Sequence, residues 1–138
     1  MKLAQVVIVS LSTLLFSCAS EPTAEIAKQP LQLQVLSQQW TLLTVDDNPI
    51  TINSSLQVDQ QGAASGNLAC NNFVGKVELQ ANKLRIEQMV NTRKLCLPEI
   101  SLLERQVAST LVNWSEVQIN DKKLILTGEE YTLVYTIK

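Results

Sequence analysis

The side chains with most chemical reach are three cysteines, Cys18, Cys70 and Cys96, in a chain that has no histidine. Ser-His-Asp and Cys-His catalysis are therefore excluded, as is a zinc site built on imidazole. No two cysteines stand in Cys-x-x-Cys spacing, which lowers a thiol pKa for exchange chemistry. Adjacent acids occur at Asp46-Asp47 and Glu129-Glu130. Both read as solvated turns, without the spaced oxygen ligands of a calcium loop. A Ser-Lys dyad or a carboxylate pair needs only proximity in space, and no spacing points to one. The reading is of no enzyme, no metal and no cofactor.

Two of the cysteines lie in the stretch Gly66–Cys96. It opens Gly66-Asn67-Leu68-Ala69-Cys70-Asn71-Asn72-Phe73-Val74-Gly75 and ends Asn91-Thr92-Arg93-Lys94-Leu95-Cys96. Gly66 and Gly75 interrupt an alternating apolar pattern where strands avoid glycine. They predict a bulge, a sharp coil of the sheet or close backbone approach. The alternative is that they admit a ligand to the main chain. Asn71 and Asn72 read as a structural corner, because asparagine folds its side chain onto nearby backbone; a binding role is the alternative. Arg93 is expected to pair with Glu99 or Glu104 or to be a surface charge, ahead of binding an anion.

The N-terminus reads as an address. After Met1-Lys2, Leu3 to Phe16 is mostly apolar. That run is short of the roughly 20 residues a membrane span needs, and it suits a secretory leader. It ends Leu14-Leu15-Phe16-Ser17-Cys18, which resembles a bacterial lipoprotein lipobox. The resemblance implies that residues 1–17 are removed and that Cys18 is lipidated. Ala19-Ser20 follow with no aspartate, which by resemblance to enterobacterial lipoproteins implies the outer membrane. An ordinary leader with a chance cysteine is the alternative. Residues 18–36 are expected to form the lipidated N-terminus and a tether, and residues 37–138 the domain.

If Cys18 carries lipid, Cys70 and Cys96 are the free pair in an oxidising setting. A disulfide is predicted, worth about 3.5 kcal/mol by loop entropy. Two buried thiols, or a redox-active pair, stay open as alternatives.

The chain length suits one domain with a real core. Hydrophobic residues make up 46% and charged residues 17%, which excludes a disordered composition. A net charge of −2 with a pI near 5.1 gives no basic stripe for nucleic acid. A monomer is expected.

The elements that must position the central stretch are mostly strands. Trp40 to Val45 reads as a strand, with Trp40 and Leu42 on one face and Leu43 and Val45 on the other. Leu31 to Leu36 fits either a strand or a helical turn. Leu56 and Val58, Ala64 to Cys70, Phe73 to Leu79, and Leu84 and Ile86 continue the alternation. So do Val117 and Ile119, Leu124 and Leu126, and Tyr131 to Ile137. Pro98 opens one helix with an apolar stripe of Ile100, Leu103, Val107, Leu111 and Trp114. Glu99, Glu104, Arg105 and Gln106 lie off that stripe. The expected fold is mainly β: about eight short strands in a small antiparallel barrel-like curled sheet, with a single helix packed on or into it.

Gly66 to Gly75 is similar to the Gly-x-x-x-Cys-Asn-x-Phe-x-Gly signature of the META domain family, which includes heat-inducible HslJ-like lipoproteins. The second signature there is a Thr-Arg-Met-Ala-Cys type run. Thr92-Arg93-Lys94-Leu95-Cys96 matches it at Thr92, Arg93 and Cys96, and departs at Lys94 and Leu95. The resemblance covers roughly Ser37 to Lys138. It implies a small β-barrel-like domain with a helix, and a stress-associated envelope lipoprotein linked to novobiocin resistance. It supplies no enzymatic activity.

Two functions follow as expectations. One is a non-enzymatic, lipid-anchored domain that supports the envelope by binding another envelope component. The other is a periplasmic carrier of a small apolar ligand, with a cavity lined by Trp40, Phe73 or Trp114.

Overall fold

The structure is a computed structural model that describes residues 30–137. The expected leader, Cys18 and most of the expected tether lie outside the described residues. The end of that tether belongs to the folded body instead. Leu31 donates its N–H to the Ala81 carbonyl at 3.1 Å. Leu33–Leu36 form a helical turn, α1, and Leu36 is fully buried. The Leu36 carbonyl accepts the indole N–H of Trp40 at 3.0 Å. Burying Leu36 contributes roughly 1.5–3 kcal/mol toward ordering this segment.

Nine antiparallel strands make one sheet. They are β1 (Gln39–Val45), β2 (Asn48–Pro49), β3 (Ser55–Val58), β4 (Ala63–Asn67), β5 (Asn72–Gln80), β6 (Lys83–Asn91), β7 (Ser115–Asn120), β8 (Lys123–Thr127) and β9 (Thr132–Thr136). The strand beyond the expected set is β2, which folds back on β1 through Asp46-Asp47. Both aspartates have positive φ, 48° and 63°, as a tight two-residue hairpin turn requires.

From β3 to β9 each strand pairs with the next in sequence. β1 then pairs with both β3 and β9, so the sheet closes into a ring. Closure removes the unpaired edges that an open sheet would present.

The seam of the ring lies between β6 and β7. Only Lys83 with Glu116 and Leu84 with Ser115 are paired there. The helix α2 (Pro98–Val112) connects these two strands and lies against β6. Pro98 starts it because the missing N–H has no partner in a first turn. Its inner face is Leu103, Val107, Thr110 and Leu111, all buried. Trp114 falls beyond the helix end and is half-buried, with the Arg85 guanidinium 4.6 Å from its ring centroid. Arg85 also donates from Nε to Glu78 at 2.6 Å and from Nη2 to Glu87 at 2.5 Å. The hydrogen bond from Arg85 holds the Glu78 carboxyl below its ordinary pKa.

Period-two alternation sends one face of each strand inward. β1 departs from the expected alternation. A bulge between Leu42 and Thr44 shifts the β1–β9 register. Val45 therefore joins Trp40 and Leu42 inside, and Leu43 is left exposed. Trp40, Tyr135 and leucines 36, 56, 68, 84, 111, 124, 126 and 133 are among the fully buried side chains of the interior. An apolar ligand carrier would need that same space.

Candidate functional site

The signature residues meet at one corner of the ring. Leu68–Asn71 turns the chain from β4 into β5, and residues 92–97 lead from β6 into α2. The bridge Cys70–Cys96 joins the two segments, with Cα atoms 6.3 Å apart. This is the predicted disulfide.

Asn71 is the hub of the corner, and it is buried. Its backbone N–H donates to Glu104 Oε2 at 2.8 Å, and its Nδ2 donates to Glu104 Oε1 at 2.9 Å. Its Oδ1 accepts the Thr92 hydroxyl at 2.8 Å and the Lys94 N–H at 2.7 Å. Thr92 Oγ1 in turn accepts the Asn72 N–H at 3.1 Å. One amide thus ties the strand corner, the loop and the helix together. Buried polar groups are tolerated when their hydrogen bonds are met, as here.

The turn itself is held by Asn67, whose Oδ1 accepts the Ala69 N–H at 3.0 Å. Ala69 has φ of +151°, a conformation that side-chain-bearing residues rarely adopt. The buried Ser54 hydroxyl donates to the Asn67 carbonyl at 2.9 Å.

The signature glycines and Phe73 have steric reasons. A Cβ on Gly66 would lie 2.0 Å from the Ser55 carbonyl oxygen and 3.0 Å from Phe73 Cε1. Phe73 is the cross-strand partner of Gly66, and its buried ring occupies the space that the glycine leaves. A Cβ on Gly75 would lie 2.5 Å from Ile86 Cγ2 and 3.0 Å from the Glu87 carbonyl oxygen. Opposite Gly75, β6 carries an extra residue at Gln88-Met89, and Gln88 has φ of +51°. The glycine lets that bulge cross close to β5.

Two charged residues near the corner differ in their surroundings. Glu104, off the apolar stripe as expected, is half-buried, and Asn71 donates to both of its oxygens. Arg93 takes the surface-charge alternative and pairs with neither Glu99 nor Glu104. It is exposed and has no ion pair among the described residues. In the sequence, the signal for Glu104 was its place directly after the buried Leu103, at the edge of the apolar stripe.

Cys70, Cys96 and Glu104 bring their donor atoms within 4.8 Å of one another. The two sulfurs are bonded to each other and the carboxylate is held by Asn71, so the trio serves as a structural lock. A shallow cavity adjoins the corner at Asn72, Phe73 and Thr92. Away from the corner, a cavity of about 500 Å³ is lined by Gln38, Gln39, Thr41, Asn53, Ser55 and Ile137.

A ring-closed antiparallel sheet, seamed by one helix and locked at a cysteine-asparagine corner, defines the class of domain. The META domain family matches residues 30–138, and the chain belongs to that family. No curated protein matches the sequence. Solved structures share the fold at low identity. One NMR structure is 21% identical with a TM-score of 0.68, covering 78% of this chain and 95% of its own. Another, from Burkholderia xenovorans, is 22% identical with a TM-score of 0.62, covering 77% and 86%.

Proposed function

We propose that this protein is a non-enzymatic envelope lipoprotein, held at the outer membrane by lipid on Cys18 and facing the periplasm. Its role is to support the envelope under stress, including novobiocin exposure, through contact with another envelope component. The observation that carries this reading is the Cys70–Cys96 bridge. A bridge of this kind favours an oxidising compartment. It also leaves Cys18 as the remaining cysteine of three, at the end of the Leu15-Phe16-Ser17-Cys18 run. Two or more acyl chains there would anchor the domain firmly without a membrane-spanning helix.

Mass spectrometry of the mature N-terminus from a bacterial host tests the anchor. A diacylglyceryl-modified first residue at Cys18 is expected, and an unmodified Cys18 thiol sinks the reading. Cys18→Ala should move the protein from the membrane to the soluble fraction. Loss of the gene should raise novobiocin sensitivity, with rescue by the wild-type chain and not by Cys18→Ala.

A further inference from the structure

The locked corner does more than hold the fold, because it projects a short segment that nothing in the described chain covers. Leu95 is fully exposed at 103% and Leu97 is exposed at 61%. Arg93 and Lys94 immediately precede them, both exposed and neither ion-paired among the described residues. Next to the loop, Val74 and Val90 pair across β5 and β6 with exposures of 59% and 66%. They line a shallow cavity of about 240 Å³ with Asn72, Phe73, Asn91 and Thr92. Thr92 therefore joins the valine pair to the loop.

Flexible loops often expose apolar side chains that fold back part of the time. This loop is pinned. Cys96 is bridged to Cys70, and Asn71 accepts both the Lys94 N–H and the Thr92 hydroxyl. Two leucines beside two cations, on a backbone fixed at several points, suit a surface that is anionic outside and apolar just beneath. The charge of the patch is opposite to that of the whole chain, which is −2.

We propose that the segment Arg93–Leu97 seats the domain on an anionic phospholipid bilayer, with Arg93 and Lys94 at the phosphates and Leu95 and Leu97 below them. Basic residues near an anionic leaflet add attraction that falls off within a Debye length. Apolar side chains add burial at the headgroup boundary. The pinned backbone lowers the ordering cost of docking. This inference rests on the lipoprotein reading only for bringing the domain to a bilayer. It adds which face of the domain meets the lipid.

The test places a reporter at the tip, Leu95→Trp, in the full chain purified from membranes. It is reconstituted into phosphatidylglycerol–phosphatidylcholine vesicles carrying brominated acyl chains. A blue shift and strong quenching relative to the wild type are expected. The quenching should fall about tenfold in Arg93→Glu/Lys94→Glu, in pure phosphatidylcholine, or at high salt. Flotation of the same samples reports the anchor independently. Vesicle-bound protein with an unquenched Trp at position 95 overturns the docking face while leaving the anchor intact. Quenching that ignores both charge reversal and salt also overturns it. If the chain carries no lipid, the anchor reading fails, and the reporter is read with vesicles in excess. A blue shift there upholds the docking face on its own, and no shift overturns it. A shift that needs only higher protein concentration, without vesicles, assigns the loop to a second copy and overturns the proposal.

Discussion

Asn71 grips Glu104 with two hydrogen bonds, its backbone N–H at 2.8 Å and its side-chain amide at 2.9 Å. The residues are far apart in sequence, so this one contact fixes α2 against the β4–β5 corner. It also gives the signature asparagine a definite physical task.

Asn71→Ala should destabilise the domain by about 3 kcal/mol, because it strips partners from Glu104, Thr92 and Lys94 together. Asn71→Asp should cost at least as much, since it replaces a donor with a carboxylate facing Glu104. Arg93→Ala should change stability by less than about 0.5 kcal/mol, as expected for an exposed residue without a partner. Urea unfolding of the three variants decides the matter. Equal losses for Asn71→Ala and Arg93→Ala would remove the hub.

The Cys70–Cys96 bridge should contribute about 3.5 kcal/mol. Thiol counting in denaturant without reductant should find neither Cys70 nor Cys96 free. Cys70→Ser/Cys96→Ser should lower the urea midpoint by the corresponding amount. Two titratable thiols at these positions would contradict the bridge.

The corner contains two small residues with opposite expectations. Gly66→Ala should cost about 3 kcal/mol or more, because its new methyl meets the Ser55 carbonyl at 2.0 Å. Ala69→Gly should be neutral or stabilising. Ordinary Ala→Gly changes cost roughly 0.5–1 kcal/mol, but glycine tolerates φ of +151° where alanine does not. Thermal melts of both variants check the pair. A clear loss for Ala69→Gly would show that its backbone is unstrained.

Tyr135 is fully buried, and its hydroxyl has no partner among the described protein atoms. Tyr135→Phe should hold or raise stability, by up to about 1–3 kcal/mol. Burial also pushes the Tyr135 phenol well above its ordinary pKa of 10.0. The raised folded value means that the unfolded chain releases this proton first. The contribution is therefore complete below pH 10 and declines as pH rises above it, by up to about 1.4 kcal/mol per pH unit. Tyr135→Phe should flatten the alkaline slope of the unfolding free energy relative to the wild type. Parallel slopes would show that the phenol does not titrate this way.

Much of the ring was legible in the sequence, because alternation at Leu84 and Ile86, Leu124 and Leu126, or Leu133 and Tyr135 is a local signal. The helix was legible for the same reason, from Pro98 and the spacing of Leu103, Val107 and Leu111. What escaped is non-local. The bulge at Leu43 is set by β9, so no pattern within β1 reveals that Val45 turns inward. Leu31–Leu36 is tied to the body by the Ala81 carbonyl, which lies far along the chain. The corner was recognised by its cysteines, asparagine and glycines, but Glu104 was not, because its partner lies on another element.

The pairing of β1 with β9 has a consequence for how the molecule comes into being. The first and last of the ring's strands are mutual neighbours, so no N-terminal fragment emerging from a ribosome contains a finished ring. Such a chain must wait, with Trp40 and its neighbours unsheltered, until β9 arrives. A domain that stays open until its final strand is delivered is well suited to being threaded before it is folded.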